Sequence, residues 1–273
     1  MQAIMLAAGK GSRLGKYTKN NTKCMLNVHG KTLLERAIDA LLEANIKDFI
    51  LVLGYKGDNV KKYIEENELD KKINIKYVYN EVYDTTNNIY SLYLARDYLA
   101  KDDTILLESD LIYDTTIIKK LVNSEYESAA LIAKYEEWMD GTVVTIDENN
   151  VINSFIERKD FNYKNVDNYY KTVNIYKFSK EFSNRFYLPF LESYIKAYGN
   201  NDYYELVLKV ISGLKEVKLH GLQLTGEDWY EIDDCQDYDI VKAIFAPTTE
   251  EKLELFHKRF GGYWRFKGIK DYC

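Results

Sequence analysis

The sequence predicts an α/β protein: a doubly wound, mostly parallel sheet followed by a mixed, antiparallel part. Three observations carry this. Up to about residue 122, short apolar runs alternate with amphipathic segments of helical period, the βα rhythm of parallel strands covered by helices on both faces. From about residue 141 the rhythm changes to successive strand-like runs. The 273 residues, 46% hydrophobic and 29% charged, suffice for one large domain with a substantial core.

Taken in order, strands are expected at 2–7, 48–53, 73–78, 103–108 and 128–133, and helices at 31–44, 57–66, 88–99 and 115–122. Runs at 142–146, 151–156 and 171–178 read as antiparallel strands. Helices at about 179–197 and 202–213 follow, then a strand near 216–223 and another over 229–233. Pro247 breaks the chain, and Thr248-Thr249-Glu250-Glu251 caps a short helix to about 259. An aromatic arm, Phe260-Gly261-Gly262-Tyr263-Trp264-Arg265-Phe266, comes last. The expected organisation is therefore a main domain over 1–246 and a C-terminal helix and arm over 247–273. No internal repeat or low-complexity stretch is present.

The first strand runs into Leu6-Ala7-Ala8-Gly9-Lys10-Gly11-Ser12-Arg13-Leu14. Small residues let the backbone approach a ligand. Gly9 and Gly11 can adopt positive φ, so that successive N–H groups converge on an anion. Arg13 adds a permanently charged fork suited to phosphate oxygens. The segment reads as a triphosphate cradle, against the plainer alternative of a glycine turn. It is not a P-loop, because no G-x-x-x-x-G-K-[ST] is present. Nor is it the dinucleotide fingerprint, since Leu14 stands where the third glycine should be.

Lys23 follows, in Thr22-Lys23-Cys24-Met25-Leu26. The motif L-A-A-G-x-G-S-R-L, followed about ten residues later by a lysine and an apolar pair, resembles the nucleotidyltransferase family that makes nucleotide-diphospho-sugars and CDP-alcohols. The resemblance covers roughly residues 1–246 and implies a Rossmann-like sheet. It further implies that the glycine loop and Arg13 hold the triphosphate while Lys23 stabilises charge at the α-phosphate. The family usually has proline before the lysine; here it is Thr22, which bears on the rigidity of that loop.

Asn87-Asn88-Ile89-Tyr90-Ser91-Leu92-Tyr93-Leu94 opens a helix where sugar-nucleotide members carry a proline–glycine stretch. The pattern resembles bacterial cytidylyltransferases for phosphocholine and related small phospho-amines and phosphonates. Asn87 and Asn88 offer amide groups that can read a base edge, with Ser91 near base and ribose; capping of the helix is the alternative for Asn87.

Acidic groups complete the set. The strand Thr104–Glu108 leads to Asp110, at a strand end expected to face solvent, and open α/β sheets bind ligands at the carboxyl ends of their strands. Trp229-Tyr230-Glu231-Ile232-Asp233-Asp234 is a second acidic strand end, with Glu231 and Asp233 on one face by alternation. The resemblance implies that Asp110 and Asp233, supported by Glu231, hold Mg²⁺, which takes one or two carboxylates plus phosphate oxygens and water.

The acceptor side is expected among Tyr135, Trp138, Tyr176, Tyr203, Tyr204 and Trp229, with Glu136, Glu137, Asp202 and Glu205 beside them. Aromatic faces suit a quaternary ammonium and carboxylates a primary one; the sequence does not choose.

The reading is a Mg²⁺-dependent cytidylyltransferase joining CMP from CTP to a small phosphorylated amino alcohol or aminoalkylphosphonate. The alternatives are a sugar-1-phosphate nucleotidylyltransferase and, in another class, a non-catalytic nucleotide-binding subunit. A net charge of −6 argues against a nucleic-acid partner. No apolar run reaches membrane-spanning length. Cys24, Cys235 and Cys273 are scattered without metal-site spacing, and His29, His220 and His257 lack the neighbours of a triad. With a first strand beginning at residue 2, these features give a cytoplasmic expectation. The C-terminal arm resembles the junction to a fused pyridoxal-phosphate aminotransferase-like or decarboxylase-like domain; packing on the same domain or on a homodimer partner is the alternative.

Overall fold

The structure is a computed structural model and describes residues 1–260. The aromatic arm beyond Phe260, with Cys273, lies outside the described residues.

The order of elements is β1 (Gln2–Ala7), β2 (Asn27–Val28), β3 (Lys31–Thr32), α1 (Leu33–Glu43), β4 (Asp48–Leu53), α2 (Gly57–Glu66), β5 (Asn74–Tyr79), α3 (Asn88–Leu94), α4 (Arg96–Leu99), β6 (Thr104–Glu108), β7 (Leu111–Tyr113) and α5 (Thr116–Val122). The second half is β8 (Ala129–Lys134), β9 (Val143–Ile146), β10 (Ile152–Ile156), β11 (Tyr170–Phe178), α6 (Lys180–Phe182), α7 (Leu188–Tyr198), α8 (Glu205–Ile211), β12 (His220–Gln223), β13 (Trp229–Glu231), α9 (Cys235–Ile244) and α10 (Thr249–Phe260).

The main sheet has the order β10-β9-β11-β6-β1-β4-β5, with β8 pairing β11 and β12. Strands β6, β1, β4 and β5 run parallel, and β11 enters antiparallel against β6. Every residue of β1 is buried, as a central strand covered on both faces must be. Ala3, Met5 and Ala7 face α1, α2 and α5; Ile4 and Leu6 face α3, α7 and α8. The expected doubly wound α/β architecture is what the chain adopts.

Four expected elements differ in detail. The helix expected at 31–44 begins at Leu33, because Lys31–Thr32 pair with β2 and the Thr32 hydroxyl, with Glu35, closes a capping box. The helix expected at 88–99 breaks at Ala95. The helix expected at 179–197 is interrupted by a π turn over Ser183–Tyr187. The strand expected over 229–233 ends at Glu231, so Asp233 lies in the turn before α9. Strand β7 was not foreseen: three residues directly after Asp110 are too few for a periodic signal.

Strand β7 pairs antiparallel with β13 in a ribbon separate from the main sheet, with Glu231 opposite Leu111. A third small core holds that ribbon. Leu14 from the glycine loop, Leu26 after the lysine turn, Ile112, Tyr230 and Ile232 from the ribbon, and Tyr238 and Val241 from α9 pack together. This core ties three chemically distinct segments to one another. Ile232→Ala is expected to cost about 2–5 kcal/mol, because a fully buried side chain leaves a cavity there. Urea unfolding checks it: a midpoint unchanged from the parent would show that the ribbon does not depend on this core.

Candidate active site

The carboxyl ends of β1 and β6 open into a cavity of about 760 Å³. The glycine loop forms one wall. Gly11 sits at φ 59°, ψ 41°, the left-handed region that favours glycine. A Cβ there would lie 2.8 Å from Lys23 Cγ and 3.2 Å from Thr18 Cγ2. Gly9 departs from expectation: it is absent from the positive-φ residues and has open space around a Cβ position, so Gly11 alone of the two uses that freedom. Leu6, Ala8, Gly9, Gly11, Ser12 and Arg13 line the cavity, whereas the Ala7 side chain packs into the core on the other face of β1. That is the alternation of a strand.

Lys23 stands in a single 3₁₀ turn, Lys23–Met25. Thr22, replacing the family's usual proline, is buried; its hydroxyl bonds Cys24 Sγ and its carbonyl accepts from Met25 N, so the turn is held without a proline. Lys23 Nζ donates to Asp110 Oδ2 at 2.8 Å and Asp233 Oδ1 at 2.9 Å. Burial by itself would lower its pKa, but the two carboxylates outweigh it and the ammonium is held above the ordinary lysine range. Exposed Arg13 donates to the same Asp233 oxygen at 2.7 Å.

Asp110, Glu231 and Asp233 each bring a carboxylate oxygen within 4.8 Å of the others. Asp110 is not solvent-facing as expected: the residue is 8% exposed, because β7 and β13 close over it. Its Oδ1 is buried and lacks a hydrogen-bond partner. An orphaned carboxylate oxygen among hard oxygen donors fits a Mg²⁺ ion. Glu108, behind this group, is pushed well above the usual carboxylate range by burial and then by Asp110 and Glu205.

Asn87 caps α3, its Oδ1 accepting from Asn88 N at 2.8 Å, and it also lines the cavity. Asn88 is engaged: Nδ2 donates to Glu108 Oε1 at 3.1 Å, and Oδ1 accepts from Tyr204 N at 3.0 Å. Ser91 Oγ accepts from buried Asn80 Nδ2 at 3.1 Å. Asn80 and Thr86 line the same wall and were missed, lying in a polar loop without a pattern of its own.

Trp138, Tyr203 and Trp229 line the cavity as expected: Trp138 stacks on Tyr230 of the ribbon at 4.9 Å and 6°, while Tyr203 lies beside the start of α3, where Ile89 N donates to the Asp202 carbonyl. Tyr176 and Tyr204 do not. Both are fully buried in the core, Tyr176 on the β11 position that pairs Leu106. Tyr135 is also displaced from the cavity and packs on Phe161. Of the four carboxylates, Asp202 and Glu205 line the cavity, whereas Glu136 accepts from Trp138 Nε1 and, like Glu137, is absent from the lining. Glu205 Oε2 is buried without a hydrogen-bond partner, and burial raises its carboxyl to about 7. Lys171 and Asn174, from β11, also reach this cavity; neither sits on a regular strand alternation that would have flagged it.

Comparison with known proteins follows this geometry. Residues 3–155 match the MobA-like NTP transferase domain, and the chain belongs to that family. It is 28% identical over 276 residues to the CMP-5'-(3-aminopropyl)phosphonate synthase of Streptomyces rubellomurinus, covering 100% of this chain and 43% of the relative, so the chain spans under half of that protein. It is 29% identical to the choline-phosphate cytidylyltransferase of Streptococcus pneumoniae, over 89% of this chain and 98% of the relative. The solved CTP:phosphocholine cytidylyltransferase from Streptococcus pneumoniae superposes with a TM-score of 0.74 at 25% identity, covering 89% of this chain and 98% of that one. Among the described residues no helix is long and apolar enough to cross a membrane.

A carboxyl raised by burial is more easily protonated folded than unfolded. The stability it contributes is present below the unfolded glutamate value of about 4.3 and is lost as pH rises through its folded value of about 7. The ligand-free protein is therefore expected to lose thermal stability between about pH 4 and pH 7, with Glu205→Gln flattening that slope. Melting curves of both proteins across this range decide it; parallel slopes would remove Glu205 as the source.

Proposed function

We propose that this protein is a Mg²⁺-dependent cytidylyltransferase that joins CMP from CTP to a small phosphorylated amino alcohol or aminoalkylphosphonate and releases pyrophosphate. The observation that carries the reading is one cavity with two chemistries. An anion cradle of Gly11, Ser12, Arg13 and Lys23 shares its cavity with the acidic trio and with Trp138, Tyr203, Asp202 and Glu205. The names of the cytidylyltransferase relatives support the choice of nucleotide.

An acceptor phosphate oxygen attacks the α-phosphorus in line, the new P–O bond forms, and the bond to the β-phosphate oxygen breaks with its electron pair leaving on pyrophosphate. No side chain must act as general base, because a phosphomonoester with a second pKa of about 6 is already largely dianionic. The work of the chain is positioning and charge placement. Gly11, Ser12 and Arg13 hold the β- and γ-phosphates. Lys23, kept protonated by its carboxylate neighbours, meets negative charge at the α-phosphate. Asp110, Glu231 and Asp233 would hold the Mg²⁺, which when bound neutralises charge on the phosphates. Asn87 and Ser91 flank base and ribose, with Asn80 behind Ser91; Asn88 serves by fixing Glu108.

The acceptor head is expected to be a primary ammonium. Asp202 and Glu205 both reach the cavity, Glu205 with an unpartnered buried oxygen, and an N–H donor satisfies that oxygen where a methyl group does not. A cytoplasmic enzyme acting without nucleic acid or membrane fits this substrate class; homodimerisation, or a fused domain to which the helix and arm over 247–273 act as linker, is part of the same proposal.

A pyrophosphate-release panel tests the function, with four nucleoside triphosphates against phosphoethanolamine, its N-methylated series through phosphocholine, 2-aminoethylphosphonate and glucose 1-phosphate. CTP with a primary amine is expected to lead. Faster turnover with UTP or with glucose 1-phosphate would replace this reading by a sugar-1-phosphate one, and a steady rise toward phosphocholine would overturn the primary amine. In the same assay, Glu205→Gln is expected to lower kcat/KM for phosphoethanolamine at pH 8 by roughly 10–100-fold, the worth of a charge-assisted hydrogen bond. The loss should shrink below pH 7, where Glu205 is itself protonated. A pH-independent loss would detach Glu205 from the ammonium.

A further inference from the structure

Strand β11 contains an irregularity that the proposed reaction has not yet used. Its register against β8 shifts between Thr172 and Tyr176, and inside that shift Asn174 holds φ 59°. In a regular strand, residues 171 and 174 point to opposite faces. A bulge re-aims side chains, and here both Lys171 and Asn174 turn to the same carboxylate. Lys171 Nζ lies 3.4 Å from Glu231 Oε2, and Asn174 Nδ2 donates to Glu231 Oε1 at 3.4 Å. Each oxygen of Glu231 therefore faces one donor from β11.

Both donors are themselves fixed, and by one residue. The Thr172 carbonyl accepts from Lys171 Nζ at 2.8 Å, and the Thr172 hydroxyl bonds Asn174 Oδ1 at 3.0 Å. With its Oδ1 on the Thr172 hydroxyl, Asn174 turns Nδ2 toward Glu231. Lys171 is 3% exposed and Asn174 8%. A buried ammonium is costly unless paired, and a bulge that carries a non-glycine residue in the left-handed region persists where its surroundings hold it. Two unfavourable features on one strand thus converge on a single side chain.

We infer that Lys171 and Asn174 are positioning residues, a two-donor clamp that sets the Glu231 carboxylate toward the cation position it shares with Asp110 and Asp233. The inference rests on the Mg²⁺ reading above. Because each Glu231 oxygen receives one long contact, each keeps lone pairs free to turn toward Asp110 and Asp233. The clamp restricts the rotation of a side chain that stands on a ribbon outside the main sheet, and it does so from the main sheet. It connects the two frames on which the three carboxylates depend.

The test is Mn²⁺ binding to the full chain, followed by the EPR signal of free Mn²⁺ in the presence of CTP and without acceptor. Asn174→Gly is the informative variant, since glycine accepts the left-handed backbone and only the amide is lost. Lys171→Met removes the other donor. Each is expected to weaken Mn²⁺ by roughly 10–100-fold, the usual effect of losing a partner of a metal ligand. Asn174→Gly is expected to keep its melting temperature. Unchanged Mn²⁺ affinity in Asn174→Gly overturns that half of the clamp, and unchanged affinity in Lys171→Met the other half. If Lys171→Met does not fold, Asn174→Gly decides alone. Asp110→Ala separates the two levels: Mn²⁺ binding that survives there refutes the metal reading itself. Binding lost in Asp110→Ala but intact in both clamp variants refutes only the clamp.

Discussion

A single carboxylate oxygen organises the nucleotide side of this protein. Asp233 Oδ1 accepts from both Lys23 and Arg13, and Lys23 carries the link on to Asp110. Three segments far apart in the chain are joined there: the glycine loop, the lysine turn and the acidic ribbon. Pairs of this kind contribute little net stability once desolvation is counted, but removing one partner leaves a buried charge uncompensated. They act as a register mark rather than a glue. The apolar contacts among Leu14, Leu26, Ile112 and Ile232 supply the adhesion, and the ion network selects which arrangement of those segments is adopted.

The rest of the site follows from how two kinds of strand meet at one edge. Parallel β1 and β6 deliver backbone and carboxylates at their carboxyl ends. Antiparallel β11 brings its amino-terminal half to that edge, with Ile175 opposite Leu107, so Asn174 arrives level with Glu108. Carboxylates consequently crowd the floor of the cavity. Glu108, Glu205 and Glu231 are all raised by burial, while Lys171 opposes the rise at Glu205 and Glu231. Carboxyls crowded in this way are eased by a proton or by a cation, and the ammonium groups of Lys23 and Lys171 already stand among them.

Much of this was legible in the sequence, for identifiable reasons. The glycine loop, Lys23 and the acidic strand ends depend on local spacing, and spacing survives in one dimension. The parallel strands announced themselves as apolar runs, since a strand covered on both faces has no polar side to show. Strand β7 was hidden by its shortness. Tyr176 and Tyr204 were misplaced because composition cannot tell a tyrosine in the core from one on a cavity wall; facing is decided by the register of β11 and the pitch of α8. Lys171 and Asn174 were missed for the opposite reason. Their common facing arises from a bulge, which breaks the alternation by which strand residues are sorted.

The β7–β13 ribbon has a consequence for how such a chain can be recombined. Tyr113 and Trp229 are directly paired, and just beyond them Asp114 and Asp228 bond each other through two contacts of 2.9 Å. Everything between, including the wall formed by Trp138, Tyr203 and Glu205, leaves and re-enters through this one pair of neighbouring positions. The intervening segment is topologically a cassette with adjacent splice points. A crossover at those points exchanges the segment bearing Trp138, Tyr203 and Glu205, together with the two β11 donors to Glu231, and leaves the glycine loop, Lys23 and all three acidic positions on the recipient's own frame.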